Sequence, residues 1–140
     1  MKNVAGYDTS KNALTLIIHQ LLDKPDMLAR CAKDQDYCKQ IIEEMLRHTS
    51  VVAPCRTLSE DVVYDGVLFP SGTFICFALS VAGRDPAAFS NPLAFLPERE
   101  QTPRHIAFGR RMHICLGQFL ARAQLEEGLY LIAQRIANPR

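Results

Sequence analysis

Apolar residues recur at spacings of three and four through the first third of the chain, give way to short strand-like runs, and regain helical spacing at the end. From Met1 to about Asp23, Leu14, Ile17, Ile18, Leu21 and Leu22 keep this spacing, which predicts an amphipathic helix. Pro25 suits a helical first turn, so a second, short helix is predicted from there to about Lys33. A third runs from about Asp36 to His48, with Cys38, Ile41, Ile42, Met45 and Leu46 as its core-facing stripe. Beyond Val51 a strand pair is predicted, Asp61 to Tyr64 and Val67 to Phe69, turned by Asp65-Gly66. Pro70-Ser71-Gly72 turns into an apolar strand from Thr73 to Ala78, and Ser80 to Asp85 reads as a short helix. Asp85-Pro86, Phe89, Asn91-Pro92, Phe95 and Pro97 then mark an irregular segment, of the kind that serves function or packs by its own aromatics. After Gly117 a long helix is predicted to about Ile136, burying Leu120, Ala121, Leu125, Leu129, Ile132 and Ile136 and ended by Asn138-Pro139. The elements are mainly α with a small β-sheet, an α+β arrangement.

Composition narrows the class. A chain of 140 residues is one domain's worth and can bury a core. Its 48% hydrophobic and 22% charged content is that of an ordinary soluble protein. A net charge of +1 gives no case for bulk nucleic-acid binding. The longest apolar run, Leu14 to Ile18, is broken by His19 and Gln20, so no membrane segment is predicted, and no cleavable signal follows Met1. Cys31, Cys38, Cys55, Cys76 and Cys115 are scattered without Cys-x-x-Cys spacing, which indicates neither a disulfide framework nor a zinc site. A reducing, cytoplasmic compartment fits best.

Candidate chemistry centres on the stretch from Phe108 to Gly117, where Cys115 stands at the start of the last helix after a basic loop. The unpaired N–H groups of a helix N-terminus and nearby arginines favour thiolate over thiol, and thiolate is the form that binds a soft or haem iron. Gly117 lets a first turn lie close against a flat ligand, and Phe108 is suited to shielding the sulfur from water. Alone, such a cysteine is more often a small buried hydrophobe. Near the N-terminus, Ala5-Gly6-Tyr7-Asp8-Thr9 combines a helix-weakening glycine with a Thr hydroxyl able to bond the carbonyl of Ala5. Together they open the helix into a groove lined by a carboxylate and an alcohol, a pair that can relay protons. Glu44 and Arg47, at i and i+3, share a helix face, where such pairs are ordinarily solvated and weak. By itself Arg56 reads as a solvated strand-end arginine.

The segment around Cys115 resembles the cysteine-ligand loop of the cytochrome P450 family, the haem-thiolate monooxygenases. Phe108, Gly109, His113, Cys115 and Gly117 fit that pattern, while Arg111 stands where the family has a second glycine. If that glycine occupies a turn with positive φ, arginine there costs energy. Ala5 to Thr9 resembles the family's oxygen-side helix motif with every defined position filled. Glu44 and Arg47 resemble its Glu-x-x-Arg lock, completed by Arg99 in Phe95-Leu96-Pro97-Glu98-Arg99, although Glu100 replaces the usual following aromatic. Arg56 corresponds by position to a propionate-binding arginine, and a guanidinium suits a carboxylate. His113 is a similar candidate.

The resemblance covers essentially the whole chain, in motif order, and implies the C-terminal part of the cytochrome P450 fold, from the oxygen-side helix to the cysteine-ligand helix. Residues 1–140 then form a partial domain, truncated relative to a full member, without the N-terminal portion or the terminal β-structure. The implied cofactor is haem b (iron protoporphyrin IX), with Cys115 as metal ligand and axial thiolate. Phe108, Gly109, His113, Gly117 and Arg56 would bind the cofactor, and Asp8 and Thr9 would guide protons as the catalytic pair. The implied function is monooxygenation, inserting one atom of O2 into a small organic substrate with electrons from a ferredoxin or flavodoxin-like donor. Arg110, Arg111 and Arg122 are candidates to attract an acidic donor. The alternative is a non-catalytic remnant that binds haem weakly or acts as an interaction module.

Overall fold

A computed structural model describes residues 4–100 and 104–136. The predicted helix start at Met1 and the stop at Asn138-Pro139 lie outside these residues. In chain order the elements are a π-helical turn Val4–Asp8, helices α1 Thr9–Leu22, α2 Pro25–Cys31 and α3 Gln35–His48, strands β1 Cys55–Thr57, β2 Val62–Tyr64, β3 Val67–Phe69 and β4 Phe74–Cys76, helix α4 Leu79–Ala82, a 3-10 turn Arg111–His113, and helix α5 Gln118–Ile136. The fold is therefore mainly helical with small antiparallel sheets.

The first three helices each start for a local reason. Pro25 opens α2 at a position where a missing N–H costs nothing. The Asp34 carboxylate accepts the Tyr37 amide at 3.0 Å and caps α3. Before α1 the Thr9 hydroxyl donates to the Ala5 carbonyl at 2.7 Å, within the widened π turn. The first predicted helix is thus two pieces, a π turn and a regular helix.

Helix α5 packs against α1, α2 and α3. Ile17 and Leu21 of α1, Leu28 and Cys31 of α2, Cys38, Ile41, Ile42 and Met45 of α3, and Leu125, Leu129 and Ala133 of α5 are buried together. The predicted stripe of α3 is buried along its whole length. Two stripes need correction. Leu22 in α1, and Leu120 and Ile136 in α5, are exposed, and Ala133 takes an inward position. Helix α5 carries apolar residues around much of its circumference, so spacing alone does not select its inner face.

Strands β2 and β3 pair as predicted, Val63 opposite Leu68, with Asp65 and Gly66 both at positive φ in the turn between them. The strand predicted over Thr73–Ala78 is shorter, and β1 is its unforeseen partner, with Arg56 opposite Ile75. A three-residue strand preceded by Pro54 offers too little alternation to be seen in sequence.

Candidate functional site

The last turn of α3 carries the most heavily bonded side chains. Glu44 and Arg47 are fully buried rather than solvated, with Arg47 Nε donating to Glu44 Oε2 at 2.8 Å and Nη2 to Oε1 at 2.7 Å. Arg47 Nη1 also donates to the carbonyls of Gly83 (2.5 Å) and Pro92 (2.8 Å), and Nη2 to that of Ala94 (3.0 Å). Arg99 brings its Nε to 3.4 Å from the Glu44 carboxylate and donates to the carbonyls of Ser90, Asn91 and Ala94. The Leu96 amide donates to Glu44 at 2.8 Å. Burial pushes the Glu44 carboxyl upward in pKa, but Arg47, the Leu96 amide and Arg99 outweigh it and hold the group below its ordinary value. These bonds fasten the irregular segment, residues 85–99, to α3. A buried charge with so many partners is stable; one deprived of them is not.

The second centre is a cavity of about 330 Å³. Ala5, Gly6, Thr9 and Ala13 line it from the π turn and α1, Cys115 and Gly117 from the cysteine loop, and Leu120, Ala121 and Leu125 from α5. Arg56, Arg110 and His113 also line it. Cys115 is exposed, its amide donates to the Phe108 carbonyl at 2.8 Å, and its own carbonyl accepts from Gln118 at the start of α5. Gly109 turns the loop at φ +77°, where an added Cβ would crowd the His113 carbonyl. Arg111 sits at φ +56°, the left-handed region expected of a glycine there.

The structure therefore brings Thr9, Arg56, Phe108, Gly109, His113, Cys115 and Gly117 to one cavity. It does not bring Asp8, whose carboxylate lies 3.4 Å from Lys11 Nζ outside the lining. Glu44, Arg47 and Arg99 form their own cluster away from the lining. Arg122, a candidate to attract an acidic donor, is instead engaged within the chain: Nε donates to Glu43 at 2.5 Å and its guanidinium lies over the Phe108 ring, 4.5 Å from the centroid.

The cytochrome P450 family profile matches residues 3–136. The chain belongs to the cytochrome P450 family. Cytochrome P450 105C1 from a Streptomyces species is 38% identical over 139 residues, covering 98% of this chain and 36% of that protein. Luteothin monooxygenase of Streptomyces thioluteus is 34% identical over 139 residues, 98% of this chain and 34% of that protein. Among solved structures, the Tepidiphilus thermophilus P450 heme domain superposes with a TM-score of 0.87 at 27% identity, over 96% of this chain and 33% of that one. The chain spans about a third of the length of the curated relatives it matches.

Haem with a cysteine thiolate as axial ligand is the cofactor of this P450 family, and the cavity's chemistry fits such a group. Its lining is mostly apolar, as a porphyrin face requires, with the exposed Cys115 at one wall and no hydrogen bond to its sulfur among the described residues. A guanidinium and an imidazole in the lining suit carboxylate substituents. Among the described residues no helix is long and apolar enough to cross a membrane.

Sequence reasoning missed one part of the site. Glu43 accepts from Arg122 and lies 3.1 Å from His105 Nε2, joining α3, the cysteine loop and α5. These residues are 62 and 79 positions from Glu43, beyond any local periodicity.

Proposed function

We propose that this chain is the haem-binding and oxygen-side portion of a haem-thiolate monooxygenase acting on a small organic substrate in the cytoplasm. The observation that carries the reading is that Cys115 opens onto the same cavity as Gly6 and Thr9 of the opposing π turn. In this reading the Cys115 thiolate binds the iron, Phe108 keeps water from the sulfur, and Gly109 and Gly117 allow the loop to lie close to the porphyrin. Arg56 and His113 pair with its propionates. When bound, haem supplies the activation of O2, one oxygen atom going to substrate and the other to water with two electrons and two protons. Thr9, whose hydroxyl proton is given to the Ala5 carbonyl, would accept a hydrogen bond from a cavity water through its oxygen, and Asp8 would resupply protons from solvent. Glu44, Arg47 and Arg99 act as a structural lock, keeping residues 85–99 fastened to α3. Arg110 and Arg111, both exposed, present positive charge to an acidic one-electron donor of the ferredoxin or flavodoxin class.

The test is a haem titration of the full chain, followed by reduction and exposure to carbon monoxide. A strongly red-shifted Soret band, abolished by Cys115→Ser and kept in Cys76→Ser, is the expected result. Absence of haem uptake, or a band of the histidine-ligated kind, would overturn the reading in favour of a non-catalytic remnant.

A further inference from the structure

Glu43 occupies the face of α3 that looks toward the cysteine loop, and two cationic or N–H donor groups converge on it from either side of that loop. His105 lies upstream, with Nε2 at 3.1 Å from Oε2. Arg122 lies downstream, on the second turn of α5, with Nε at 2.5 Å from Oε1 and Nη2 at 3.3 Å from Oε2. Both flanks of the segment that carries Cys115 are thereby tied to one carboxylate.

The bonds at each flank are directional. The Ala107 amide donates to His105 Nδ1 at 3.2 Å, so that nitrogen accepts and the ring proton sits on Nε2, where it donates to Glu43. One imidazole thus fixes the backbone at Ala107, next to Phe108. At the other flank Arg122 Nη1 donates to Gln118 Oε1 at 3.2 Å, while the guanidinium lies over the Phe108 ring. Phe108 is held through its ring by Arg122 and through its carbonyl by the Cys115 amide. His105 and Arg122 are each mostly withdrawn from solvent, with side chains 4% and 25% exposed. That withdrawal separates the cluster from an ordinary surface ion pair.

We propose that Glu43, with His105 and Arg122, is the positioning unit of the cysteine loop, fixing the place of Phe108 and through it the presentation of the Cys115 sulfur to the cavity. The loop needs such a unit. Its own turn places Arg111 at a positive φ that costs energy, and its internal backbone bonds are few. The effect on the metal ligand rests on the haem-thiolate reading; the effect on loop order does not.

The experiment therefore has two arms, both on the full chain. Without haem, amide hydrogen exchange is followed in Glu43→Gln and Arg122→Lys, comparing residues 104–117 with α1. The expected result is an acceleration in the loop at least tenfold greater than in α1 for both variants. Unchanged loop exchange in either folded variant would overturn the proposal. So would equal acceleration in α1, or failure of both variants to fold, since the cluster would then hold the fold rather than the loop. With haem, these variants are expected to bind about 10- to 100-fold more weakly, as typical for loss of a ligand's supporting shell, with a smaller fraction of the bound haem giving the thiolate band. If the wild-type chain gives no thiolate band while loop exchange still accelerates in the variants, the cofactor assignment fails and the positioning role stands.

Discussion

The backbone of Gly83 lies so close to the carbonyl of Arg47 that a Cβ on Gly83 would fall inside the oxygen's van der Waals envelope. The Arg47 guanidinium returns across the same gap to donate to the Gly83 carbonyl. Neither backbone can yield without moving the buried Glu44–Arg47 pair. Gly83→Ala is therefore expected to destabilise by about 3 kcal/mol or more, as overpacking joined to a disturbed buried network does. Urea unfolding of the two proteins measures it. A change below about 1 kcal/mol would show that the helix α4 end relaxes freely.

Acid should destabilise the chain in a defined window. Burial raises the Glu43 pKa, but the hydrogen bonds from His105 and Arg122 and the charge of Arg122 outweigh it, placing the group at about 2 against an ordinary 4.5. A carboxyl whose folded pKa is depressed contributes stability that is complete above its unfolded value. That stability is lost as pH falls from about 4.5 toward about 2. The contribution is on the order of 2 kcal/mol after allowance for partial exposure. Glu43→Gln should flatten the pH dependence of the unfolding midpoint across this window. An unaltered slope would remove Glu43 from the acid response.

Arg111 holds a left-handed backbone conformation that glycine adopts without cost. Arg111→Gly is expected to stabilise by about 1 kcal/mol, raising the melting temperature by about 4 °C. Haem retention should rise with it. A lower melting temperature would mean that the arginine side chain makes contacts that outweigh the backbone cost.

Thr9 and Asp8 should differ in their effect on oxygen use. Thr9 lines the cavity, whereas the Asp8 carboxylate is turned to Lys11. In an active preparation Thr9→Ala is expected to divert more of the consumed oxygen from product than Asp8→Asn does. Oxygen-electrode traces set against product yield provide the comparison. Equal, wild-type-like coupling in both variants would exclude the pair from proton delivery.

Much of the fold was legible because its signals are local. The stripe of α3, the proline opening α2 and the Asp65-Gly66 turn each depend on neighbours within a few residues. That Phe108, Gly109, His113, Cys115 and Gly117 share one cavity is legible for a related reason, since they lie within one short stretch of the chain. What stayed hidden was long-range. Glu44 and Arg47 look like a weak surface pair until Arg99 and the carbonyls of residues 83–94 close over them. The buried face of α5 was ambiguous because Phe119, Leu120 and Leu131 place apolar groups on other faces as well. Glu43, His105 and Arg122 carry no pattern at all until the fold brings them together.

The most direct measurement is iron-edge X-ray absorption of the ferric, haem-loaded chain. The expected result is one sulfur in the iron's first shell, replaced by oxygen or nitrogen in Cys115→Ser. A wild-type shell of nitrogen and oxygen alone would contradict the account.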